Sequence, residues 1–177
     1  METARTRRRR TFAKSYFVTA LAAVIAAAGV FFYCLTPVTE TFLDIKSPRG
    51  RVLASIIVPD GSFDHVFIHS IHLTPVAERF RIESSGDNGV ALHLFELRYQ
   101  SSGVGMPSDA EEGYRLENGV FILTINRVFR KIPVMVSIVD GHGIRVGGVL
   151  YPFRLWAERE EQIVLSGRIV RRYQFKR

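Results

Sequence analysis

The sequence predicts an all-β domain, an antiparallel sandwich or small barrel of about seven to nine strands, preceded by a single N-terminal transmembrane helix. Three observations carry this prediction. An uncharged run of 25 residues, 15–39, follows a cluster of arginines. Beyond it, short β-branched and aromatic stretches recur about every ten residues between glycine, proline and asparagine punctuation. Helical periodicity is absent from that part of the chain, although "PSDAEEGYRL" (107–116) could hold a turn of helix.

Each element follows in order. Residues 1–14 carry six cations against Glu2 and form a basic cytoplasmic N-terminus. The run "SYFVTALAAVIAAAGVFFYCLTPVT" is long enough to span the hydrocarbon core, which takes roughly 20 helical residues. Phe31, Phe32 and Tyr33 stand near its far end, where aromatic rings anchor at headgroups, and Pro37 ends it. Arginines 7–10 before the run place the N-terminus inside and the remainder outside, by the positive-inside rule. The expected location is a single pass of the inner (cytoplasmic) membrane, with the C-terminal domain in the periplasm. A cleaved signal peptide is the rival, because Ala26, Ala27 and Ala28 offer small residues for cleavage. Cleavage there would leave "GVFFYCL" as an apolar new terminus, which favours an uncleaved anchor over 15–39.

A connector, 40–50, and a β domain, 51–170, come next. The strands are "RVLASIIV", "FDHVFIHSIHL", "ERFRIES", "VALHLFELRYQ", "GVFILTINRVF", "PVMVSIVD", "IRVGGVLYPFRLW" and "EQIVLSGRIVRRY". A basic tail, 171–177, closes the chain; it could lie on anionic lipid, meet an acidic partner, or simply be solvated. The formal charge of +7 resides at the two ends, so residues 15–167 carry a net −3, which excludes a nucleic-acid-binding domain. Cys34, the only cysteine, falls inside the span, so the exported domain stands without disulfides.

Site chemistry is sparse. His65, His69 and His72 superficially resemble a metal set, but on a strand His65 and His69 lie about 13 Å apart and His72 faces the other way. Ordinary strand histidines are the default, and no metal or cofactor is expected. His142, in "DGHGI", sits on a turn and adds little. No GxSxG elbow is present, and Ser70 directly follows His69, so the two point to opposite faces and form no nucleophile–base pair. No catalytic residue is assigned and the chain is read as non-enzymatic. Glycines 103 and 105 in "SSGVGMPSD" could shape an anion-binding nest or only a demanding turn. Pro75 marks an edge or strand break, and Glu78 could pair with Arg81 or Arg98.

Together, "HSIHLTPVAERFRI" (69–82) and "SSGVGMP" (101–107), in this order after an apolar segment, resemble the domain of unknown function 1850 family. The resemblance covers roughly 52–156 and includes "GGVLYPFRL". The signature positions are His69, Ser70, Thr74, Pro75, Val76, Glu78, Ser101, Gly103, Gly105 and Pro107, with Val104 and Met106 replacing commoner Ala and Leu. The resemblance implies a small exported or anchored accessory of TAXI-type TRAP transporters and no catalytic activity. The expected partners are the TRAP permease, its TAXI-type substrate receptor and the lipid bilayer. The candidate surface is the His69–Glu78 bend with loop 101–112. The alternative is an independent periplasmic domain that binds a small ligand or ion. A hydrolase using His69 is a third possibility that no nucleophile–base geometry supports.

Overall fold

The computed structural model describes residues 24–27, 33, 35–86, 89–100 and 114–175. Among these, eleven strands form two antiparallel sheets, more than the seven to nine expected. They are β1 (Leu35–Lys46), β2 (Val52–Ile57), β3 (Ser62–Ile68), β4 (Pro75–Ser85), β5 (Gly89–Tyr99) and β6 (Tyr114–Glu117), then β7 (Val120–Phe129), β8 (Ile132–Met135), β9 (Gly143–Val146), β10 (Val149–Pro152) and β11 (Gln162–Phe175). One sheet has the order β2-β1-β11-β8 and the other β10-β9-β3-β4-β5-β7-β6. The chain divides into two units: 1–38 with 171–177, and 39–170.

The larger unit is a sandwich. Leu43, Ile45, Ile163 and Leu165 of the four-stranded sheet meet Phe63, Phe80, Ile82 and Leu92 of the seven-stranded sheet in one buried cluster. At Gly167 on β11 the two sheets pack closely: a methyl there would come within 2.7 Å of Ile82 and 2.8 Å of Val90. A bidentate ion pair locks the smaller sheet. Arg168 donates from Nε and Nη2 to the two carboxylate oxygens of buried Asp44, each at 3.0 Å, and Ser55 Oγ donates to the same group at 2.6 Å. Burial alone would raise the Asp44 pKa; the hydrogen bonds from Arg168 and Ser55, with the charges of Arg168 and Lys46, outweigh it and hold the carboxyl below its usual range.

Several expected elements change. The span read over 15–39 lies mostly outside the described residues; 24–27 are helical, but 35–39 belong to β1, and β1 also takes up most of the connector. The reason is in the sequence: Leu43 and Ile45 alternate with Phe42 and Asp44 and fill the core. No helix among the described residues is long and apolar enough to cross a membrane. The last strand continues to Phe175, so 171–175 are strand rather than tail. "IRVGGVLYPFRLW" is a hairpin, β9–β10, folded at Gly147 and Gly148, both at positive φ, followed by a short 3-10 turn at Phe153–Leu155. Tyr114–Glu117, the described end of the proposed helical turn, is strand β6, joined to β7 by Asn118-Gly119, both at positive φ, as a two-residue hairpin requires. An extra residue, Phe95, is inserted in β5 beside the register shifts, so Leu92 and Leu94, then Leu97 and Tyr99, turn inward. Strict alternation through Glu96 and Arg98 therefore fails.

Candidate functional site

Two features meet at one end of the seven-stranded sheet. The first is the β3–β4 turn. The expected strand over 63–73 stops at Ile68, and 69–74 is a turn closed by His69 N–H donating to the Thr74 carbonyl at 2.9 Å and Leu73 N–H to the His69 carbonyl at 2.8 Å. The His69 ring is turned into this loop: its Nδ1 accepts from the N–H groups of Ile71 and His72, each at 3.3 Å, and the ring lies 4.9 Å from that of His72. His69 is thus a cap for the turn. Ser70 is exposed at the tip, Thr74 contributes its carbonyl, and Pro75 opens β4 opposite Ile68. Leu73 is held at φ 53, and Ile71 and Leu73 are 67% and 68% exposed. A large side chain in the left-handed region costs of order 1 kcal/mol.

Beneath the turn, on the outer face of the sheet, lies a cleft of about 290 Å³ whose apolar lining includes Val66, Ile68, Pro75, Ala77 and Leu150. Arg98 and Arg145 also line it. Arg98 Nε donates to Glu96 at 2.6 Å, whereas Arg145 makes no ion pair among the described residues. Arg79 braces the neighbouring rows, donating to Asp64 and Glu96, each at 3.2 Å, over the Phe95 ring. Burial pushes the Glu96 carboxyl up, but hydrogen bonds from Arg98 and Arg79 and their charges hold it below its usual value. Val76 pairs with Tyr99, which sets the start of β4 beside the end of β5. Ser101, Gly103, Gly105 and Pro107 follow directly in the chain and lie outside the described residues.

The second feature is on the inner face. His65 and Glu78 are register partners, so their side chains share a side, and His65 Nδ1 meets Glu78 Oε2 at 2.8 Å. Glu78 therefore pairs with His65, not with Arg81 or Arg98. His65 Nε2 meets Nε2 of His142 at 2.8 Å, and His142 Nδ1 accepts the Ser137 N–H at 2.8 Å. The backbone donor fixes the protons. With Nδ1 an acceptor, neutral His142 carries its proton on Nε2 and donates it to His65, which then donates from Nδ1 to Glu78. Burial, reinforced by the neighbouring His65 and opposed by Glu78, pulls the His142 pKa down to about 4. Phe153 packs edge-on against His142 at 4.8 Å, and Phe67 lies 5.5 Å from His65, so the relay occupies the seam between the main core and a smaller cluster of Val76, Leu97, Tyr99 and Leu123.

All four ring nitrogens of this pair are engaged inside the protein, so neither histidine can act as base or ligand without breaking a bond. The 2.8 Å between the two Nε2 atoms is also shorter than the roughly 3.3 Å set by two bonds to one tetrahedral zinc. His65, His69 and His72 do not converge: the first is in the relay, the others in the turn. Two residues that matter here carried no sequence signal. His142 lies 77 positions from His65, and Arg145 reaches the cleft only through pairing of β9 with β3.

Fold and site define an all-β sandwich with a structural histidine relay inside and a tip-and-cleft surface outside. Residues 63–153 match the family described as Domain of unknown function (DUF1850), and the chain belongs to it. No curated protein and no solved structure matches the chain.

Proposed function

We propose that this is a membrane-anchored, non-enzymatic periplasmic accessory protein that contacts the receptor or permease of a TAXI-type TRAP transporter. The observation that carries a binding role is the β3–β4 turn, which holds Leu73 in a strained conformation and presents Ile71 and Leu73 to solvent beside an arginine-lined apolar cleft. Paired exposed apolar side chains on a capped turn suit a protein contact, and backbone strain concentrates at such sites. The transporter as partner rests on the sequence resemblance alone. The anchor rests on the uncharged apolar run, shortened to 15–34 because β1 begins at Leu35. Those 20 residues span roughly 30 Å as a helix, the thickness of the hydrocarbon core.

The test is a mild-detergent pull-down of the full-length protein with mass spectrometry of what remains bound. Capture of a TRAP permease or TAXI-type receptor, lost on Ile71→Ser, supports the reading. Recovery of the protein alone, under conditions that keep other membrane complexes intact, removes it. A second reading, a small anionic ligand bound in the same cleft, is favoured by Arg145, which has no ion pair among the described residues. It predicts ligand-dependent thermal stabilisation lost on Arg145→Gln.

A further inference from the structure

The C-terminal strand ends beside the start of the first. Thr36 Oγ1 donates to the Gln174 carbonyl at 3.1 Å, two residues beyond the last position of the 15–34 run. Strand alternation places Arg171, Tyr173 and Phe175 on one side of this ribbon. All three are exposed, Tyr173 by 71% and Phe175 by 62%. A tyrosine ring, apolar in body and polar at the tip, favours the headgroup layer, a phenylalanine ring enters the acyl boundary just beneath it, and a guanidinium pairs with phosphate in two-pronged geometry.

We propose that this ribbon docks on the anionic phospholipid headgroups of the leaflet from which the chain emerges, with Arg171 on phosphate and Tyr173 and Phe175 in the interface. The proposal rests on the reading of 15–34 as a membrane span, which sets the ribbon at the bilayer surface. Charge selects the occupant: the side of β11 that carries Tyr173 and Phe175 bears Arg171 and no acidic residue. Because these residues are strand rather than tail, little chain entropy is lost on docking.

The test uses the full chain with Cys34→Ser and Tyr173→Cys, labelled at 173 with an environment-sensitive bimane. It is reconstituted into vesicles of phosphatidylcholine alone or with one third phosphatidylglycerol, and carbonate-resistant flotation is measured on the same samples. Flotation with a blue shift only in the anionic vesicles, reversed by high salt and weakened about fivefold by Arg171→Gln, is the expected result. Flotation with equal emission in both vesicle types overturns the proposal while leaving the span intact, and a probe that stays water-like in both returns Arg171 to an acidic protein partner. Loss of flotation overturns the span and the docking proposal together.

Discussion

Acid should unfold this protein through one histidine. His142 cannot take a proton while Ser137 N–H points at its Nδ1, and burial already disfavours the charged ring. In the unfolded chain the same imidazole titrates near its ordinary value of about 6.5. A folded value lowered to about 4 means that the unfolded state binds the extra proton first, so stability is complete at neutral pH and falls as pH drops from the ordinary imidazole value toward the folded one. The full gap is worth roughly 3 kcal/mol, of which about 2–2.5 kcal/mol is lost between pH 7 and pH 4.5. Stopping at that pH limits the contribution of Asp44 and Glu96, whose lowered pKa values matter at still lower pH. The assay is urea unfolding of the full-length protein in mild detergent, followed by Trp156, the one tryptophan of the chain, which packs against the core. The comparator is His142→Asn, whose carbonyl can still accept from Ser137 but does not titrate. The variant should be less stable at pH 7 and lose most of the slope. A wild-type stability that is flat across this window, or an unchanged slope in the variant, refutes the reasoning.

Three further outcomes follow from named contacts. Arg168→Leu strands the buried Asp44 carboxylate; because Arg168 is 43% exposed, the loss is put at about 1–2 kcal/mol in thermal or urea unfolding. That deficit should shrink as pH falls through the lowered Asp44 value, since protonation removes the stranded charge. Gly143→Ala drives a methyl into the Tyr151 carbonyl and to 2.9 Å from Pro152 Cα, both backbone, and should cost about 3 kcal/mol and reduce soluble yield. Leu73→Gly relieves the positive φ, so stability should hold or rise by up to about 1 kcal/mol while partner capture in the pull-down falls. Capture unchanged in that variant would remove Leu73 from the contact surface.

The class of fold was legible because period-two patterning survives in most strands; the hairpins at Asn118-Gly119 and Gly147-Gly148 were missed although both pairs are ordinary turn signals, because "IRVGGVLYPFRLW" reads as one continuous apolar strand. What escaped has physical causes. The bulge at Phe95 shifts the phase of β5 with no glycine or proline to mark it, so Glu96 and Arg98 looked like a continuation of the Leu92–Leu94 row. β1 was hidden because its first residues extend an uncharged run, and only Leu43 and Ile45 betray the alternation. At the site, Pro75 marked a strand break, but 69–73 read as more of the strand because His69 and Ile71 continue the alternation of Phe67, and the role of His69 was hidden: a ring accepting two backbone N–H groups leaves no pattern in sequence. The His65–Glu78 pair is set by β3–β4 register, whereas His142 and Arg168 find their partners across the chain, where neither spacing nor composition gives a hint.

The family segment also has a bearing on what counts as a separable piece of this protein. It contains every strand of the seven-stranded sheet but, of the smaller sheet, only β8. Leu43, Ile45, Ile56, Val58, Ile163 and Leu165 lie outside it, and each is buried against strands within it. At roughly 1.5–3 kcal/mol per buried side chain, these six supply about as much as the whole net stability of a typical domain. A peptide cut to 63–153 would bare Phe63, Phe80 and Leu92 to water and should not hold its shape. The stretch recognisable from one protein to another is thus shorter than the stretch that can stand by itself, and the missing half is wrapped on from both sides in sequence.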